Sequence, residues 1–346
     1  MSLAYDVIPV TLVTGFLGSG KSTLLADILT GEAARDTAVL VNEFGEVGLD
    51  HLLMGKVDTQ TVLLDNGCVC CSIRGELKDA LADLFSRRAR GDVPAFSRVV
   101  LETTGLATPA PIIATLLADP LIRTHYTLNA TVTIVDSVNA GEQRARYPEW
   151  LSQVTVADRI VVSKVDLVDA AHVEALKDEL YAINPAARIV ERNLSADGLL
   201  ELLFAPSHEV AAAIARIGRS GTGAVRLGSR DGRLAHRTET SGTRLASHCF
   251  RIDAPLDWQV FTLWFTMLLN RHGDKILRVK GLLALNGSDR PTVLHAVQHL
   301  VYPVLHLDEW PDDTRVSQLV FITEDLDGSA IEASYQRFVA ALEEPA

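Results

Sequence analysis

Along the first two hundred residues, short apolar runs alternate with longer stretches whose apolar positions recur at helical spacing. Residues 7–13, 38–41, 61–64, 99–102, 131–135, 160–163 and 188–190 read as strands. Most are unbroken runs of Val, Ile, Leu and Thr, the pattern of strands covered on both faces. Between them, residues 21–29, 76–88, 109–117 and 170–181 read as helices. This rhythm predicts an α/β domain over residues 1–203, built on a doubly wound, mostly parallel sheet.

The pattern breaks near residue 204. Residues 204–245 hold seven arginines against three acids (Glu209, Asp231 and Glu239), interspersed with Gly, Ser and Thr. They read as a basic, Gly/Arg-rich linker, mobile over 216–244. A solvated loop and a partner-docking arm share that composition. Beyond it, residues 248–252 read as a strand, 258–270 as a helix, 275–285, 291–298 and 316–323 as strands, and 329–342 as a helix. Residues 246–346 therefore predict a second, smaller α+β domain.

Composition narrows the function classes. At 346 residues, 48% hydrophobic and 22% charged, the chain can bury a sizeable core and is not a disordered protein. No apolar run approaches the ~18–20 residues of a membrane span, and no basic-then-apolar leader opens the chain. It reads as cytoplasmic, with no membrane partner. A formal charge of −12 argues against an overall basic surface for nucleic acid.

Gly15-Phe16-Leu17-Gly18-Ser19-Gly20-Lys21-Ser22-Thr23 lies between a predicted strand and a predicted helix and fits the phosphate-loop pattern G-x-x-x-x-G-K-[ST]. Glycines let successive backbone N–H groups converge on phosphate oxygens, and the helix N-terminus adds positive potential. Lys21 is placed to reach the β- and γ-phosphates, and Ser22 to give an oxygen to Mg²⁺. Ser163-Lys164-Val165-Asp166 ends a later strand and matches the guanine-reading pattern [NST]-K-x-D. Asp166 can accept from guanine N1–H and its amino group, a pair that adenine lacks. The stem of Lys164 would cover the base. Glu102-Thr103-Thr104-Gly105 ends another strand: Glu102 is placed to hold Mg²⁺, and Gly105 lets its N–H approach the γ-phosphate. Asn42-Glu43-Phe44-Gly45-Glu46-Val47-Gly48-Leu49-Asp50 offers three carboxylates in a glycine-punctuated loop, suited to a segment that orders around Mg²⁺ and γ-phosphate. Glu46 is the catalytic candidate there and Asp50 a nucleotide-site candidate.

Three of the four cysteines, Cys68, Cys70 and Cys71, fall within four residues, while Cys249 stands alone and reads as a packing residue. Such a cluster is no disulfide framework. Thiolates bind Zn²⁺ and related ions strongly, and an oxygen donor from Glu43 or Glu46 could complete the shell. Packing thiols or a redox pair are the alternatives. All five segments follow predicted strands, and in an open parallel sheet those strand ends share one edge. A metal at residues 68–71 would then lie beside the γ-phosphate, close enough for the two sites to be coupled.

GFLGSGKST, NEFGEVGLD, GCVCCS, ETTGLATP and SKVD, in this order, resemble the CobW-type metallochaperone GTPases, relatives of the urease and hydrogenase nickel-insertion GTPases. The resemblance extends to a CobW-type C-terminal domain through residues 275–281 and 315–322. It implies a P-loop NTPase-type fold, GTP and GDP with Mg²⁺ as ligands, GTP hydrolysis, and Zn²⁺ (or Co²⁺) at Cys68, Cys70 and Cys71. Delivery of that metal to a client protein is also implied. By motif match it gives Gly15, Gly18, Ser19, Gly20, Lys21, Ser22 and Thr23 to phosphate and Mg²⁺, Glu102 to the Walker-B role, and Ser163, Lys164 and Asp166 to the base. The histidine-rich tract of many members is missing: the linker has only His208 and His236, which argues against metal storage. A GTP-holding zinc buffer or sensor without client-stimulated turnover is the rival reading, and a homo-oligomer is compatible with the sequence.

Overall fold

The computed structural model describes residues 7–29, 36–41, 61–63, 72–193, 195–205, 224–226, 236–240, 243–311 and 313–343. They form two compact units: Met1–Leu176 with Ile189–Ser207, and Lys177–Arg188 with His208–Ala346.

The first unit contains β1 (Ile8–Gly15), α1 (Lys21–Leu29), β2 (Thr37–Val41), β3 (Thr61–Leu63), α2 (Ser72–Arg90), β4 (Arg98–Glu102), α3 (Pro109–Ala118), α4 (Pro120–His125), β5 (Tyr126–Asp136), α5 (Ala140–Arg146), α6 (Pro148–Val156), β6 (Arg159–Ser163), β7 (Arg188–Glu191) and α8 (Ala196–Phe204); α7 (Ala170–Ile183) joins β6 to β7. The seven strands form one sheet in the order β3-β2-β4-β1-β5-β6-β7. β1 runs parallel to β4 and β5, β2 to β3 and β4, and β5 to β6. The continuous apolar runs are explained by burial on both faces: Val10, Leu12, Val13, Val39, Val100, Val132 and Val161 are inaccessible to solvent. Leu24 and Leu25 of α1 and Leu199, Leu202 and Leu203 of α8 pack into the same core, each such side chain contributing roughly 1.5–3 kcal/mol.

Four helices were not expected. α4, α5, α6 and α8 each have fewer than ten residues, too few for a 3.6-residue period to declare itself. Pro148 separates α5 from α6, and Tyr147 ends one helix and starts the next. Asp119 caps α4 by accepting from the N–H groups of Leu121 and Ile122, and Ser195 caps α8 by accepting from Gly198 N–H.

The second unit is an α+β structure. An eight-stranded sheet contains β8 (Ala224–Arg226), β9 (His236–Thr240), β10 (Thr243–Ile252), β11 (Ile276–Leu283), β12 (Thr292–Val297), β13 (Leu300–Val301), β14 (Leu305–His306) and β15 (Ser317–Glu324). The pairs are antiparallel except β10 with β8. Among the described residues, α9 (Trp258–His272), α10 (Gly328–Glu343) and the end of α7 lie in this unit. Phe261, Trp264, Phe265, Leu268 and Leu269 of α9 pack with Phe250, Val279, Leu283, Leu319 and Phe321 of the sheet. β8, β9 and the start of β10 correct the expectation of a linker at those residues. Strand pairing satisfies backbone groups whatever the side chains are, so a Gly/Arg-rich composition did not reveal it. Among the described residues, no helix is long and apolar enough to cross a membrane.

Candidate functional site

The chain leaves β1, β4, β5 and β6 at one edge of the first sheet, because these strands are parallel and their C-terminal ends point the same way. At the end of β1, Gly15 has φ +146°, and a Cβ there would stand 2.4 Å from the Ile134 carbonyl oxygen and 2.8 Å from Ser19 Oγ. Only glycine fits. Gly18 and Gly20 also have positive φ. Ser19 N–H donates to Phe16 O, closing the loop, and Gly20 O accepts from Leu24 N–H as α1 begins. Lys21 is nearly buried, its ammonium donating to Gly15 O at 3.0 Å and Phe16 O at 3.3 Å. Thr23 is exposed.

Ser22 Oγ donates to Glu102 Oε1 at 2.9 Å. Glu102 ends β4 and is only 2% exposed, so this carboxylate is held inside the edge. Beyond it, Thr103 N–H donates to Val13 O and Thr103 Oγ1 to Thr14 Oγ1. Gly105 lies against the phosphate loop, where a Cβ would come within 2.6 Å of Leu17 N. Ser163 Oγ donates to Ser19 O at 2.6 Å, tying the end of β6 to the same loop.

Lys164 adopts a left-handed conformation, φ +57°. Its ammonium donates to Asp136 Oδ2 at 2.6 Å. Burial of Asp136 opposes its charge, but hydrogen bonds from Lys164, Asn139 and the Val138 N–H outweigh burial and hold the carboxyl below its ordinary range. Asp166 sits in a short 3-10 turn and is solvent-exposed.

The structure thus gathers Gly15, Gly18, Ser19, Gly20, Lys21, Ser22, Glu102, Gly105, Ser163 and Lys164 at one edge. Glu43, Glu46, Asp50, Cys68, Cys70 and Cys71 lie outside the described residues. Among the described residues, no three His, Cys, Asp or Glu side chains group as metal ligands. Cys249 is a free, buried thiol, and burial pushes it up to about 12.

Several residues at the edge were not singled out from the sequence. Asp136 and Asn139 orient Lys164. Tyr147 packs at a tilt against Phe16 of the phosphate loop, with centroids 4.6 Å apart. Arg192, just after β7, pairs with Asp27 of α1 at 2.5 Å and lies 3.4 Å from where a Gly20 Cβ would be. Gln153 of α6 donates to the carbonyls of Gly105 and Ala107. The Asp at the end of an apolar strand was the one available signal.

Residues 9–191 match the family model described as CobW/HypB/UreG, nucleotide-binding domain, and residues 245–339 match the cobalamin synthesis protein cobW C-terminal domain. A curated relative, the zinc chaperone YjiA of Escherichia coli, is 35% identical over 333 residues, covering 95% of this chain and 98% of its own. The crystal structure of Zn(II)-bound YjiA GTPase from E. coli superposes with a TM-score of 0.69 at 28% identity, covering 96% of this chain and 99% of that one. The same figures hold for a Zn(II)-bound YjiA variant with one glutamate and two cysteines replaced by alanine. With a family model spanning more than half its length and a relative alike from end to end, this chain belongs to the CobW/HypB/UreG family.

Proposed function

We propose that this protein is a GTP-hydrolysing metallochaperone that binds zinc at Cys68-Val69-Cys70-Cys71 and hands it to a client protein under control of the bound nucleotide. One observation carries the reading: the phosphate loop, the Ser22–Glu102 pair and the Ser163-Lys164 base-reading end meet at a single sheet edge. Nucleotide phosphates fit the curled backbone of residues 15–20, and Lys21 exchanges its two carbonyl partners for phosphate oxygens. The hydroxyl of Ser22 beside the buried carboxylate of Glu102 is an all-oxygen donor pair suited to Mg²⁺. Mg²⁺ supplies charge neutralisation at the β- and γ-phosphates. Ser163 braces the loop, the stem of Lys164 covers the base, and Asp166, open to solvent, selects guanine over adenine. The Gly105 N–H faces the terminal phosphate.

β2 and β3 lead in sequence to residues 42–50 and 68–71. We assign Glu46 to the attacking water, Asp50 to the nucleotide site, and Cys68, Cys70 and Cys71, with Glu43, to zinc. One glutamate and two cysteines are also the residue types replaced in the YjiA variant. Reduced thiols suit a cytoplasmic protein. Co²⁺ is a second candidate cargo, and softness favours zinc.

The test is zinc content at limiting zinc, because the YjiA variant is itself Zn(II)-bound. Wild type purified with GTP and Mg²⁺ retains about one zinc per chain, and a Cys70→Ala, Cys71→Ala variant retains none, with thiolates as the ligands that capture it. Equal retention removes the thiol site from the proposal. Hydrolysis that no client accelerates would leave a zinc buffer in its place.

A further inference from the structure

Gln153 is 1% exposed and lies on α6, a helix that no phosphate-binding motif includes. The carboxyl end of the ETTG turn, and the residue two places beyond it, depend on it. Its single amide nitrogen donates to Gly105 O at 3.1 Å and to Ala107 O at 3.0 Å. Between these carbonyls, Ala107 N–H donates to Thr104 O. The described peptide bonds are all trans, so N–H and C=O of one peptide point in opposite directions. With Thr104 O turned into the turn, the Gly105 N–H is directed out of it. Gly105 itself is pressed against Leu17 of the phosphate loop. Tyr147, at the start of the same helix, packs against the Phe16 ring. α6 therefore holds both loops that face the phosphates.

The other end of the side chain argues against a merely space-filling role. Gln153 Oε1 is buried and has no hydrogen-bond partner among the described residues. A buried acceptor left unpaired disfavours glutamine on stability grounds, and an apolar side chain of equal length would avoid that cost. What glutamine supplies there is the pair of N–H donors.

We infer that Gln153 is a positioning residue for nucleotide hydrolysis: by fixing the carbonyls of Gly105 and Ala107 it aims the Gly105 N–H, and thereby sets how well the protein tells a nucleoside triphosphate from a diphosphate. This rests on the nucleotide-hydrolysis reading above.

The experiment measures affinity for a non-hydrolysable GTP analogue and for GDP, together with the hydrolysis rate, in wild type, Gln153→Met and Gln153→Asn. Methionine keeps the length without donors, and asparagine keeps the amide but falls short of the two carbonyls. Losing two neutral hydrogen bonds predicts a drop of about tenfold or more in the analogue-to-GDP preference and in kcat, with GDP affinity within about twofold of wild type. A variant that folds and keeps the wild-type preference overturns the inference, even if its Tm falls. Hydrogen exchange on the unaltered protein gives a second readout: the Gly105 amide is slowed by the analogue and not by GDP, and equal exchange in both states overturns the inference too. Wild type that prefers an ATP analogue defeats the guanine reading alone, and the same ratio is then read with adenine nucleotides. Wild type that binds no nucleotide defeats both.

Discussion

Two buried lysines, one in each unit, make the same kind of hydrogen bond and do different things. Lys21 follows the C-terminal end of a parallel strand, and its ammonium donates to two carbonyls of the loop it stands in, Gly15 O and Phe16 O. Lys280 sits mid-strand in β11, opposite His295 of β12 and Val320 of β15, is fully buried, and donates to Ala186 O. Lys280 has polar company: Arg278 donates to the Tyr302 hydroxyl at 2.8 Å and lies over the same ring. That group of cations is woven into the middle of a sheet and joined to the chain itself. Lys21, Ser22, Glu102, Ser163 and Lys164 instead gather where strands end and the backbone turns back. A buried cation at a strand end stands where a ligand can replace its backbone partners. One in mid-strand holds the fold.

The contrast can be broken by a matched pair of substitutions. Lys21→Met should cost about 10³-fold in kcat/KM for GTP, because it removes a charge aimed at phosphate oxygens, an effect larger than any loss of stability from the Gly15 carbonyl it leaves without that donor. Lys280→Met should do the reverse: Ala186 O loses its donor, unfolding stability falls by about 1–3 kcal/mol, and GTP turnover stays at the wild-type rate. Steady-state kinetics and thermal denaturation on both variants decide it. A Lys280→Met protein that unfolds like wild type but hydrolyses poorly would reverse the assignment.

A smaller effect is expected at the base. Asp166→Ala should reduce the preference for GTP over ATP by about 10²-fold or more, since a carboxylate matched to guanine donors is what excludes adenine. Competition between the two nucleotides for one site measures it, and an unchanged ratio would leave Ser163 as a mere brace for the loop.

The smallest effect concerns acid. Asp136 titrates below its ordinary value, with burial opposing and the Lys164, Asn139 and Val138 hydrogen bonds favouring the charged form. A depressed folded pKa means the carboxylate contributes stability above its unfolded value of about 3.9. That contribution is lost as pH falls through the lower folded value. Denaturation of wild type from pH 6 downward should show this acid-dependent loss, and Asp136→Asn should flatten it. An identical pH profile in the two proteins would mean that the Lys164 pair adds nothing to the edge.

The parts of the edge that are local in sequence were legible there. The phosphate loop can be read because its glycines and Lys21 are neighbours in the chain and each backbone torsion has a residue type that permits it. The strands of the first sheet were readable because burial on both faces leaves unbroken apolar runs. What escaped depends on distance along the chain. Lys164 and Asp136 are 28 residues apart and Gln153 is 48 from Gly105, and no spacing rule joins them. α5 and α6, which carry Tyr147 and Gln153, are each shorter than three turns, so their amphipathic pattern never completes. β8 and β9 escaped for another reason. Their pairing with β10 is a matter of backbone groups, and an arginine-rich composition says little about those.

We propose that nucleotide and zinc are felt by one another in this protein. The most direct measurement is a competition titration of zinc against a chromogenic chelator, once with a GTP analogue and Mg²⁺ bound and once with GDP and Mg²⁺. Coupling of the usual ~1–3 kcal/mol predicts roughly 5- to 150-fold tighter zinc in the GTP-analogue state. Equal zinc affinity in the two states would contradict it.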